Sequence, residues 1–95
     1  MRRASKIDAN QNELVEVIRA MGGTVQSLAS VGKGCPDLLV GWRKKNLLIE
    51  VKDGSKPPSD QVLTPDQKRW HSTWNGKVHL VKTLDDLLVL LKNTT

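Results

Sequence analysis

Apolar positions along the chain repeat at helical spacing in some stretches and at strand spacing in others, and the switches between them outline the fold. Leu14, Val15, Ile18 and Met21 stand at the i, i+4, i+7 spacing of one helix face, which predicts a helix over residues 9–21. Asp8 is placed to cap it, with Gln11 three residues on as capping-box partner, and Gly22-Gly23 to end it. Residues 24–28 predict a short strand and 29–35 (ASVGKGC) a loop. Two apolar runs follow, PDLLVGW at 36–42 and NLLIEVK at 46–52. Only the basic turn Arg43-Lys44-Lys45 joins them, so they predict an antiparallel hairpin.

Residues 53–63 (DGSKPPSDQVL) are rich in Gly, Pro, Ser and Asp, hence a loop. Thr64-Pro65-Asp66-Gln67 then reads as a helix start: Thr at N-cap, Pro at N1, Gln at N3. That helix carries Trp70 and Trp74 four apart and ends at Asn75-Gly76. KVHLVK at 77–82 alternates as a strand, and Thr83 caps a last helix over 84–92. The order α-β-β-β-α-β-α predicts an α/β (α+β) domain built on a small mixed sheet, with one domain over residues 1–95.

The totals narrow the class. At 38% hydrophobic and 26% charged the chain is too apolar for disorder. No apolar run approaches the roughly 20 residues that cross a bilayer, and MRRASKIDAN leads into no signal-peptide core. A lone cysteine, Cys35, forms no internal disulfide, so the expected location is the cytoplasm. Fifteen Lys and Arg against ten Asp and Glu give a net charge of +5, clustered at Arg2, Arg3 and Lys6, at Arg43–Lys45, and at Lys68 and Arg69. A polyanion, nucleic acid first, is the partner this favours over a merely solubilising surface. With only three aromatics, all Trp, a single-strand stacking platform is not expected.

The candidate chemistry lies in the hairpin. Residues two apart on a strand share a face, so Glu50 and Lys52 point together while Ile49 and Val51 point into the opposite layer. A turn centred near Lys44 sets Asp37 across from residue 50 or 51, with Cβ atoms roughly 5 Å apart in directly opposed pairs. Two carboxylates that close raise each other's pKa, and Lys52 neutralises only one. A divalent ion such as Mg²⁺, which takes one or two carboxylates plus water and phosphate oxygens, would neutralise the rest. Those are the parts of a metal-dependent phosphodiester hydrolase. Taken without its surroundings, Glu-x-Lys is common, and a partly exposed Glu–Lys pair with an unrelated Asp at a strand start is the better reading.

Pro36-Asp37 opening one strand and Glu50-Val51-Lys52 closing its neighbour resemble the PD-(D/E)XK nucleases. More narrowly, GKGCPDLLVGWRKKNLLIEVKDG followed by LTPDQKRWHSTWNG is similar to stand-alone VRR-NUC domains, many from phages and bacteria, over residues 8–83. The resemblance implies a restriction-endonuclease-like core and an Mg²⁺- or Mn²⁺-dependent DNA endonuclease of a bacterial cell or phage-infected host. It implies Asp37, Glu50 and the Val51 carbonyl as metal ligands and Lys52 as the catalytic lysine. It further implies a homodimer acting on branched or double-stranded DNA such as Holliday junctions, with no membrane association. The family places an acid or amide on the first helix. Gln11 lies on the face of Leu14, Val15 and Ile18 and is favoured here, whereas Glu13 points to solvent. Gln67 has two readings, active-site residue or capping-box partner of Thr64.

Lys33, Arg43, Lys44, Lys45 and Arg69 are the expected phosphate contacts. These carry no base information, so selection by DNA shape is expected. Trp42, Trp70 and Trp74 are expected in the core, His71 and His79 without a catalytic partner, and Cys35 as an inert thiol. Gly32-Lys33-Gly34 is too sparse for a phosphate-cradling loop. Two alternatives stand beside the enzyme: a DNA-binding module that has lost catalysis, motivated by an amide at position 11, and a basic accessory protein.

Overall fold

A computed structural model describes residues 8–94, so the basic cluster Arg2, Arg3 and Lys6 lies outside the described residues. The elements are α1 (Gln11–Ala20), β1 (Thr24–Ser27), β2 (Leu38–Trp42), β3 (Lys45–Val51), a 3₁₀ turn (Pro58–Asp60), α2 (Pro65–Thr73), β4 (His79–Val81) and α3 (Leu84–Asn93). Their order is the one the periodicities predict. The four strands form one sheet in the order β1-β2-β3-β4. β1–β2 and β2–β3 are antiparallel, and β3–β4 is parallel, as a connection through α2 requires.

The hairpin turn is tighter than expected. Trp42 pairs with Lys45, leaving only Arg43 and Lys44 between the strands. Both have positive φ, 50° and 69°, as a turn matched to the right-handed strand twist demands. Lys45 therefore belongs to β3. β2 in turn starts at Leu38, because Pro36 has no N–H for the ladder.

One face of the sheet holds the core. Leu38, Val40 and Trp42 of β2, Leu47, Ile49 and Val51 of β3, and Val81 of β4 meet Leu14 and Ile18 of α1 and Leu87 and Leu91 of α3. Trp42 also donates its Nε1–H to the Leu91 carbonyl at 3.1 Å. α2 buries no residue in this cluster. Burial along β3 alternates at Leu47–Ile49 and then becomes continuous from Ile49 to Asp53, beyond which the chain turns toward α2.

The start of α1 differs from the sequence reading. Asp8 does not cap it. The N-cap is Asn10, whose side chain makes no capping bond and instead donates to the Lys52 and Lys82 carbonyls at 3.3 and 3.2 Å. It ties the helix to the ends of β3 and β4. Gln11 is consequently the first helical residue and cannot close a box with Asp8. Thr64 and Thr83 form the capping boxes at α2 and α3, with Gln67 and Asp86 as partners.

Candidate active site

Asp37, Glu50 and Lys52 come together where β2 begins and β3 ends. Extending the register Leu38↔Ile49 sets Asp37 opposite Glu50. The Asp37 carbonyl accepts the Leu28 N–H at 2.8 Å, and its side-chain Oδ2 accepts the Val51 N–H at 2.7 Å. Both its backbone and one carboxylate oxygen are thereby fixed. Glu50 is 1% exposed and Lys52 7%, so an acid and a base are withdrawn from water within one strand end.

Gln67 joins them. Its Oε1 accepts from Lys52 Nζ at 2.8 Å, and its Nε2 donates to Glu50 Oε2 at 3.2 Å. The same Oε1 takes the Thr64 N–H at 2.9 Å, and the Gln67 N–H donates to Thr64 Oγ1 at 3.2 Å. One side chain thus closes the Thr64 capping box and also bonds to Lys52 and Glu50.

Electrostatics set the state of the acids. Burial first, and then the adjoining Asp37 carboxyl, push the Glu50 carboxyl up to about 9; Lys52 opposes them and Asp8 adds a smaller rise. In the absence of a cation Glu50 is thus neutral at pH 7. Its Oε1, the atom Gln67 does not engage, is buried without a hydrogen-bond partner. It faces His71 Nε2 at 3.6 Å, which is equally without one. Burial and then the Lys52 charge hold His71 below its ordinary value, so its ring is neutral at pH 7. Cys35 is half-buried, and its thiol is raised by burial and then by Glu50 and Asp37. A protonated thiol is a poor nucleophile.

His71 is the residue that the sequence left without a catalytic partner. It stands one helical turn after Gln67, so the i, i+4 spacing puts both on the α2 face that meets Glu50. The tryptophans need the opposite correction. Trp70 and Trp74 are absent from the core cluster, and Trp74 is 48% exposed. Their spacing shows that they share a face, but α2 overlies the polar side of the sheet rather than its core.

The other sequence candidates separate. Gln11 is 4% exposed on α1 with an unpartnered Oε1, whereas Glu13 is exposed and lines a different hollow with Asp53 and Lys82. Lys33 lines a cleft of about 610 Å³ together with Asp8, Lys52, Lys56 and Gln67. Arg69 lines a second hollow that shares Lys33 and Asp66 with this cleft. Arg43 and Lys44 sit at the hairpin tip and Lys45 beside it, at the far end of β3. Five residues of strand, about 17 Å, separate Lys45 from Glu50. Arg43 lies over the Trp42 ring at 5.4 Å.

Among the described residues no three His, Cys, Asp or Glu side chains are grouped to hold a metal ion. An ion here would have Asp37 and Glu50 as its only such ligands, with the remaining positions left for backbone, water and substrate oxygens. That suits a hard ion that keeps much of its hydration shell. No helix among the described residues is long and apolar enough to cross a membrane.

Comparison with family models and with curated proteins gives no match. A solved structure described as a VRR_NUC domain is similar at 30% identity with a TM-score of 0.66, over 90% of this chain and 92% of that one. Identity at this level across nearly the whole of both chains carries more than a shared topology: the protein belongs to the VRR-NUC family of nuclease-type domains.

Proposed function

We propose that this protein is an Mg²⁺- or Mn²⁺-dependent endodeoxyribonuclease that hydrolyses phosphodiester bonds. The observation that carries the reading is the buried Asp37–Glu50 pair with an unpartnered carboxyl oxygen, Glu50 Oε1, beside the buried Lys52 ammonium. A buried polar atom with no partner is costly, and one that a cation would satisfy fits a metal ligand. Asp37, Glu50 and the Val51 carbonyl are the proposed ligands. When bound, the ion supplies positive charge at the attacked phosphodiester and acidity to the attacking water.

The chain's own groups do the rest. The Val51 N–H fixes one Asp37 oxygen, which orients the other. Gln67 holds Lys52 Nζ and Glu50 Oε2 in one frame, so the ammonium stands ready to offset charge developing on phosphate. Lys33 and Arg69 receive backbone phosphates near the cleft. The Arg43–Lys45 tip reaches phosphates about five base steps away at 3.4 Å per step. These are backbone contacts, which favours selection of DNA by shape, branched DNA included, over selection by sequence. Cutting both strands calls for two sites. The open edge of β4, with the exposed Leu80 and Val89 lining one hollow beside it, is suited to a second copy.

A second reading, a DNA-binding module without catalysis, is favoured by Gln11, whose amide brings no charge to an ion. One experiment separates them. Purified protein is incubated with branched, flapped, single-stranded and plain duplex DNA in Mg²⁺, Mn²⁺ or chelator. Metal-dependent cleavage that Asp37→Ala and Glu50→Gln abolish while DNA binding persists supports the enzyme. Binding without cleavage in either metal replaces it with the module.

A further inference from the structure

Trp70 and Trp74 stack on each other with ring centroids 4.6 Å apart and planes 18° from parallel. Trp74, the outer ring, is held at its edge: a Cβ on Gly76 would come within 2.8 Å of the indole Nε1. It is nonetheless 48% exposed. Leaving half of the largest apolar side chain in water, fixed in place and outside the core, forgoes stabilisation that burial would supply. The inner ring, Trp70, meets a groove of about 430 Å³ lined also by Lys33, Asp66, Arg69 and Thr73, and Lys33 and Asp66 line the cleft of Lys52 and Gln67 too, so the groove continues that cleft.

The two cations differ in how they are held. Lys33 has φ 54° between Gly32 and Gly34, both also in the left-handed region. Gly34 seats this loop directly on the first turn of α2, where a Cβ would collide with the Asp66 carbonyl. A lysine kept in a disfavoured conformation at the junction of two hollows is a placed residue. Among the described residues the Arg69 side chain has only a surface ion pair with Asp66 at 3.0 Å, and it is 73% exposed. Such pairs contribute little and exchange readily for phosphate.

We propose that the Trp70–Trp74 stack is a platform for an unpaired nucleobase beside the cleavage site, with Lys33 and Arg69 carrying the phosphates that lead from it into the cleft. Three aromatics in the whole chain argue against a stacking platform, but two of them stack here, and because every base offers a π-face the platform selects unpaired DNA without selecting sequence. This rests on the nuclease reading and gives it a substrate class: duplex DNA continued by a single strand.

The test measures binding in chelator, independently of cleavage. Anisotropy titrations compare a plain duplex with the same duplex carrying an unpaired thymine extension. The proteins are wild type, Trp74→Ala, Trp74→Leu and Trp74→Phe, each checked for folding by circular dichroism and for mass by sedimentation. Wild type is expected to prefer the extended DNA. Loss of one stacked base weakens that DNA about 5- to 150-fold in Trp74→Ala and Trp74→Leu, while Trp74→Phe keeps most of the affinity and plain duplex is unaffected. Equal losses on both DNAs, or a Leu variant as tight as wild type, overturn the platform and leave the nuclease reading standing. A Trp74 variant that only shifts the oligomeric mass makes the face a protein interface and overturns it too. If wild type binds neither DNA, the nuclease reading fails and the platform falls with it.

Discussion

Replacing Glu50 with Gln should make the cation-free protein more stable, and the structure sets the size and pH window of the gain. Folding moves Glu50 from an ordinary value of 4.5 to about 9. An acid raised in this way contributes most favourably below 4.5, where it is protonated in both states. Its contribution is lost progressively as pH rises from 4.5 toward 9, because the unfolded chain ionises while the native chain must keep the proton. At pH 7, 2.5 pH units above 4.5, this disadvantage is about 3 kcal/mol at 1.36 kcal/mol per unit. Glu50→Gln keeps the shape, and its amide NH₂ adds a donor toward Asp37, yet it takes up no proton on folding. The variant should match wild type near pH 4 and exceed it by as much as about 3 kcal/mol at pH 7. For a chain of this size each kcal/mol moves Tm by about 4–8 °C, so a third of the effect is measurable. Thermal and urea unfolding of both proteins in chelator between pH 4 and 8 provide the assay. Added Mg²⁺ or Mn²⁺ should then stabilise wild type and not the variant. A variant less stable than wild type at pH 7, or a difference that does not change with pH, refutes the reasoning.

Four further outcomes follow from single residues. Gln67→Ala should lower stability by about 1–3 kcal/mol, because it removes a capping partner and strands Lys52 Nζ, and should reduce cleavage more than tenfold. Thr64→Ala, which spares the contact to Lys52, should cost about 1 kcal/mol in urea unfolding with much of the cleavage retained. Lys44→Gly relieves a left-handed φ of 69° and should stabilise by about 1 kcal/mol. The same change should lessen the salt dependence of DNA affinity by about one phosphate contact in titrations at several salt concentrations. Gln11→Ala should reduce cleavage rates more than Glu13→Ala, since Gln11 is buried with an unpartnered oxygen while Glu13 faces solvent; the reverse order assigns the helix position to the acid.

The fold was legible wherever period and turn chemistry agreed. The β2–β3 hairpin follows from two apolar runs and a basic turn, and its register brought Asp37 across from residue 50 or 51, which the ladder resolves to Glu50. The sequence missed contacts that depend on which face of the sheet an element covers. Trp70 and Trp74 read as core because their spacing marks a shared face. α2 lies instead on the sheet's polar side, where Gln67 and His71 meet Lys52 and Glu50 and the tryptophans stay outside the core. His71 was passed over for the same reason, although its spacing from Gln67 contained the information. At α1 the grammar of capping failed because Asn10 serves distant carbonyls at the ends of β3 and β4. A local rule gave way to a tertiary bond joining residues 42 and 72 positions apart.

One oxygen atom, Gln67 Oε1, both closes the first turn of α2 and holds the Lys52 ammonium. Helix ends fray long before domains unfold, and here fraying releases the ammonium from its frame. If the chain cleaves DNA as proposed, its competence is set by the opening equilibrium of a single helical turn rather than by global unfolding. Activity should fade on warming ahead of the main melting transition, and amide exchange at Thr64 and Gln67 should follow the same temperature curve.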